Sequence, residues 1–102
     1  MQSLITSNLD RIAALCKQHH VRRLYVFGSA LRDDFDPTRS DIDLRVEFGD
    51  VPEREYAHNY FALLDAFSGL FGRKVDLLSS PTIRNPYLRK EIEETQKAVY
   101  AA

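Results

Sequence analysis

Residues 41–47, Asp-Ile-Asp-Leu-Arg-Val-Glu, alternate charged and aliphatic side chains at every step. In an extended strand, successive side chains point to opposite faces. Ile42, Leu44 and Val46 therefore line one face, and Asp41, Asp43, Arg45 and Glu47 line the other. The rest of the chain must supply a layer that covers the aliphatic face. A solvated polar face on an antiparallel strand would produce the same alternation. Aspartate, however, is among the poorest strand formers, and two carboxylates two residues apart repel each other. A divalent cation would remove that repulsion, and Mg²⁺ takes carboxylate and phosphate oxygens. On the alternation alone both readings stand.

A second feature lies upstream. The apolar run Leu24-Tyr25-Val26-Phe27 stops at Gly28-Ser29. Glycine at a strand end lets a ligand approach the backbone closely. Ser29-Ala30-Leu31-Arg32 could open a helical turn whose free N–H groups face an anion. Many turns share a Gly-Ser pair, and this one gains weight only from the Asp-x-Asp strand downstream of it. A third acid, Asp76, interrupts the run Val75-Asp76-Leu77-Leu78 where an apolar residue would ordinarily pack. Alone it reads as a surface-facing strand residue. If its strand neighbours that of Asp41, three carboxylates converge, which suits two metal ions about 3.5–4 Å apart holding a triphosphate.

The remaining segments supply the covering layer. Leu4, Ile5, Leu9, Ile12, Leu15 and Cys16 recur at helical spacing and predict an amphipathic helix over 3–18. His19 and His20 fall at its C-terminal end, where the helix dipole favours a cation. Strands are expected at Leu24–Phe27, Ile42–Phe48 and Val75–Leu78, with a polar loop over Asp33–Ser40. A long helix is expected over about Glu53–Phe71, with Tyr56, Tyr60, Leu63, Leu64, Phe67, Leu70 and Phe71 on one broad face and Gly72 as its stop. Asn85-Pro86 reads as an N-cap followed by proline at the first helical position. The last helix then runs to about Val99, with Leu88, Ile92 and Val99 inward and Glu93–Lys97 as an exposed pair. The order is α-β-(loop)-β-α-β-α, an α/β (α+β) fold with a small mixed sheet of about three or more strands flanked by helices.

Composition bounds the function. The 102 residues, 44% hydrophobic, fit one domain over 1–102, and a net charge of −1 gives no global attraction for nucleic acid or an anionic membrane. No apolar run approaches the roughly 20 residues needed to span a bilayer, so a soluble, cytoplasmic protein is expected. The single Cys16 excludes an internal disulfide and any multi-cysteine metal site, and reads as a buried structural thiol.

Gly28-Ser29, Asp41-Ile42-Asp43 and Asp76 together resemble the signature of the nucleotidyltransferase superfamily that includes DNA polymerase β. The segments RLYVFGSA, SDIDLRVEF, KVDLLSS and NPYLRKEIEETQKAVY are most similar to its minimal nucleotidyltransferase (MNT) branch, often antitoxins paired with HEPN-domain toxins. The resemblance implies a nucleotidyltransferase fold in which Asp41, Asp43 and Asp76 hold two Mg²⁺ ions and Asp76 helps to deprotonate the acceptor. It implies that Gly28, Ser29 and Arg32 meet the phosphates of ATP. Asp33 stands where the family commonly carries glycine, and Asp34 and Asp36 add negative charge to that loop. The implied reaction moves AMP from ATP to a hydroxyl of a partner HEPN toxin, a tyrosine in the case of the family's antitoxins. Two other functions remain in view: neutralisation of a toxin by occlusion without catalysis, and AMP transfer to a small molecule. No acceptor-binding domain is visible for the last.

Overall fold

The computed structural model describes residues 3–28, 41–79 and 84–102. Two helices, α1 (Ser3–Thr6) and α2 (Leu9–Gln18), lead into strand β1 (Val21–Phe27). Strand β2 (Ile42–Phe48), helix α3 (Glu53–Phe71), strand β3 (Val75–Ser79), helix α4 (Pro86–Thr95) and strand β4 (Lys97–Ala101) come next along the chain. The sheet runs β3-β2-β1-β4. β2 and β3 are parallel, joined through α3 as a parallel pair requires, while β1 is antiparallel to both β2 and β4. The mixed, helix-flanked sheet is the one expected from the sequence.

Local chemistry sets the boundaries. α3 ends at Gly72, whose N–H still donates to the Ser68 carbonyl at 2.9 Å while its left-handed φ of +66° turns the chain out of the helix. α4 begins where the Asn85 side chain accepts from the N–H groups of Tyr87 and Leu88 at 2.9 and 3.3 Å, with Pro86 at the first helical position.

Three expectations are corrected. The helix over 3–18 is broken at Ser7-Asn8, where Asn8 Nδ2 donates to the Leu4 carbonyl at 2.7 Å and competes with the helical ladder. The strand before Gly28 starts earlier, at Val21. The last helix does not run to Val99. It stops at Thr95, Gln96 turns extended, and Lys97–Ala101 pairs with β1. Without β4, β1 would present a row of unpaired backbone groups. The exposed pairs on α4 are consequently Arg89–Glu93 at 3.1 Å and Lys90–Glu94 at 3.9 Å, not Glu93–Lys97, and Leu88 points outward.

The core lies on one face of the sheet. Leu24, Val26, Ile42, Leu44, Val46, Val75 and Leu77 pack there against Ile5, Ile12 and Cys16 of the first two helices and Leu63, Phe67 and Phe71 of α3. Each fully buried side chain of this kind contributes about 1.5–3 kcal/mol. Ile92 of α4 is buried outside this cluster, and Gln96, just past α4, accepts from Arg45 on the opposite face at 3.1 Å. That second face is only partly covered.

Candidate active site

Strand pairing decides which side chains meet. β2 and β3 are in register with Asp43 opposite Asp76 and Ile42 opposite Val75. Because both strands alternate, Asp43 and Asp76 share the face that Ile42 and Val75 leave. Asp41 lies two residues before Asp43 on that same face. The adjacency of these strands, conditional in the sequence, is present.

On the other flank of Asp43 lies the end of β1, with Phe27 opposite Asp43. The next residue, Gly28, has φ +70°, and a Cβ placed on it would collide with Asp43 Oδ2. Glycine suits this position for two reasons at once: the left-handed backbone angle, and the Asp43 carboxylate that lies where a Cβ would stand. Ser29 and Arg32, with Asp33, Asp34 and Asp36, lie outside the described residues.

A residue the sequence reasoning passed over completes the cluster. Lys74 Nζ lies 3.7 Å from Asp41 Oδ2 and 3.9 Å from Asp76 Oδ1. The Lys74 carbonyl accepts from the Ile42 N–H at 3.1 Å, which fixes its backbone beside the start of β2. Its signal was available: Lys74 stands two residues before Asp76, so strand alternation places it on the same face.

The donor set suits a hard cation. The three candidates are all carboxylates, the ligand type Mg²⁺ prefers, and a positive group already sits between two of them. They do not form a closed cage as they stand, since among the described residues no group of three or more His, Cys, Asp or Glu side chains could hold a metal ion.

The surroundings are shaped rather than flat. Beside Gly28 a hollow of about 440 Å³ is lined by Phe27, Leu88, Glu91, Ile92, Thr95 and Lys97, a size typical of small-ligand sites. A larger hollow of about 500 Å³ lies toward the far end of β2, and neither hollow is lined by any of the three aspartates. Two of its arginines are engaged, Arg45 with Glu47 at 3.4 Å and Arg89 with Glu93. Below the cluster, the Tyr60 hydroxyl donates to the Leu77 carbonyl. Burial, followed by the neighbouring Tyr56 and Asp76 charges, raises its pKa.

The profile of the nucleotidyltransferase domain family matches residues 9–99. The chain belongs to this family. A Methanocaldococcus jannaschii protein named "Putative protein adenylyltransferase MJ0128" is 41% identical over 80 residues, covering 78% of each chain. A solved "putative minimal nucleotidyltransferase" superposes with a TM-score of 0.69 at 28% identity, over 94% of this chain and 95% of that one. The fold is also that of a solved complex of tri-AMPylated Shewanella oneidensis HEPN toxin with MNT antitoxin, with a TM-score of 0.64 at 18% identity over 96% of this chain and 73% of that one. In this nucleotidyltransferase domain Asp43 lies on β2, Asp41 just before it, and Asp76 on β3. Among the described residues no helix is long and apolar enough to cross a membrane.

Proposed function

We propose that this nucleotidyltransferase domain transfers AMP from ATP to a tyrosine hydroxyl of a HEPN-domain toxin and thereby acts as its antitoxin. The observation that carries the reading is the in-register pairing of Asp43 with Asp76, next to a glycine whose missing side chain leaves room for the Asp43 carboxylate. The adenylyltransferase relative and the likeness to an MNT antitoxin bound to an AMPylated HEPN toxin support a HEPN toxin as the acceptor protein.

Asp41, Asp43 and Asp76 would hold Mg²⁺. Bound there, Mg²⁺ would neutralise the triphosphate and lower the barrier to displacement at the α-phosphorus. Gly28, through its backbone, and Ser29 and Arg32 would meet the phosphates. Asp76, half-exposed on the sheet face, accepts the proton as the tyrosine oxygen attacks. The new phosphorus–oxygen bond forms while the bond to pyrophosphate breaks, and positioning and charge neutralisation supply most of the acceleration.

The test is transfer of label from α-labelled ATP to a co-expressed HEPN partner. Wild type is expected to label the partner in a Mg²⁺-dependent manner, and an Asp41→Asn, Asp43→Asn double variant to leave it unlabelled. Equal neutralisation of toxin by both proteins without label would replace transfer by occlusion.

A further inference from the structure

We propose that Lys74 is a positioning residue, a built-in cation that holds the acidic cluster together in the metal-free domain and competes with the metal for it. The inference rests on the reading that the three carboxylates bind a divalent cation.

Register places Asp43 beside Asp76 and alternation aligns Asp41 with them, so like charges meet on one strand face and repel one another. The ammonium of Lys74 lies within 4 Å of two of the three, at nearly equal distances of 3.7 and 3.9 Å. It reaches them from β3's own leading edge, anchored through its carbonyl to Ile42. A group so placed lowers the charge of the cluster by one and must give way when a doubly charged ion arrives. Both lysine contacts are largely exposed, with Lys74 at 71% of its side-chain surface, so each is weak and easily broken. A competitor of this strength tunes affinity without abolishing it. It also favours entry of the metal together with the nucleotide, whose added charge offsets the displaced ammonium's.

Direct binding of Mn²⁺ in the absence of nucleotide and partner, followed by electron paramagnetic resonance of the free ion, tests the proposal. Lys74→Met is expected to bind Mn²⁺ about three- to tenfold more tightly than wild type, the range set by one or two exposed ion pairs. Lys74→Arg, which keeps the charge, is expected to bind like wild type. In chelator, Lys74→Met should melt about 1–5 °C below wild type and regain the difference on addition of Mn²⁺. A lysine that merely braces the fold would lower the melting temperature and leave Mn²⁺ affinity unchanged. Unchanged or weaker Mn²⁺ binding by Lys74→Met overturns the proposal while leaving the metal site intact. If wild type binds no Mn²⁺, the metal reading itself falls and Lys74 as competitor falls with it.

Discussion

On one face of β2, Ile42, Leu44 and Val46 are sealed beneath three helices. On the other face, one pleat away, Asp41, Asp43 and Glu47 keep contact with solvent, and Arg45 is held by Glu47, Gln96 and the ring of Tyr25 at 5.4 Å. The aliphatic face can satisfy itself only by packing, and its residues are interchangeable at similar volume. The charged face has arranged partners that packing cannot supply, a lysine for two aspartates and a glycine cut to fit the third. One strand thus divides its labour by parity. Even positions hold the fold, and the odd positions carry the charges, among them Asp41 and Asp43, to which the proposed chemistry is assigned.

That division can be broken by mutation. Leu44→Ala should cost about 2–5 kcal/mol in denaturant unfolding, because a fully buried side chain leaves a cavity between sheet and helices. Gly28→Ala sharpens the contrast from the other side. It forces a Cβ into a left-handed backbone and against Asp43, so a loss of about 1–3 kcal/mol in stability should accompany a fall in transfer. Asn85→Ala should cost about 0.5–2 kcal/mol through loss of the α4 cap.

The last effect is confined to alkaline pH. Burial pushes the Cys16 thiol from an ordinary 9.0 to about 12. The raised native value favours the neutral thiol, so its share of stability is complete below about pH 9 and declines as pH rises toward about 12. Cys16→Ala should flatten that part of the profile, and native Cys16 should resist thiol reagents at pH 8 until the chain unfolds.

Local signals reached far into this molecule. The alternation of 41–47, the glycine stop at Gly72 and the Asn85-Pro86 cap each act within a few residues, and all three appear where the sequence places them. β4 did not declare itself. Lys-Ala-Val-Tyr-Ala is compatible with either a helix end or a strand, and the deciding interaction, pairing with β1 some 70 residues earlier, is not local. The same holds for Val21–Arg23, whose two arginines hid a strand that is central in the sheet. Asp43 and Asp76 were recognisable as residue types, but their register required β2 and β3 to be paired. Lys74 carries a single local signal, its place two residues before Asp76. It gains meaning only once alternation on β3 and pairing with β2 set it among the carboxylates.

The parity claim is tested most directly by Asp43→Asn, assayed for stability and for AMP transfer in the same preparation. Stability is expected to stay within about 1 kcal/mol of wild type, as for an isosteric change on a solvent-reaching face, while transfer falls by about 10²–10³-fold. Unfolding of the variant in step with its loss of transfer, or full transfer by a stable variant, would contradict the division by parity.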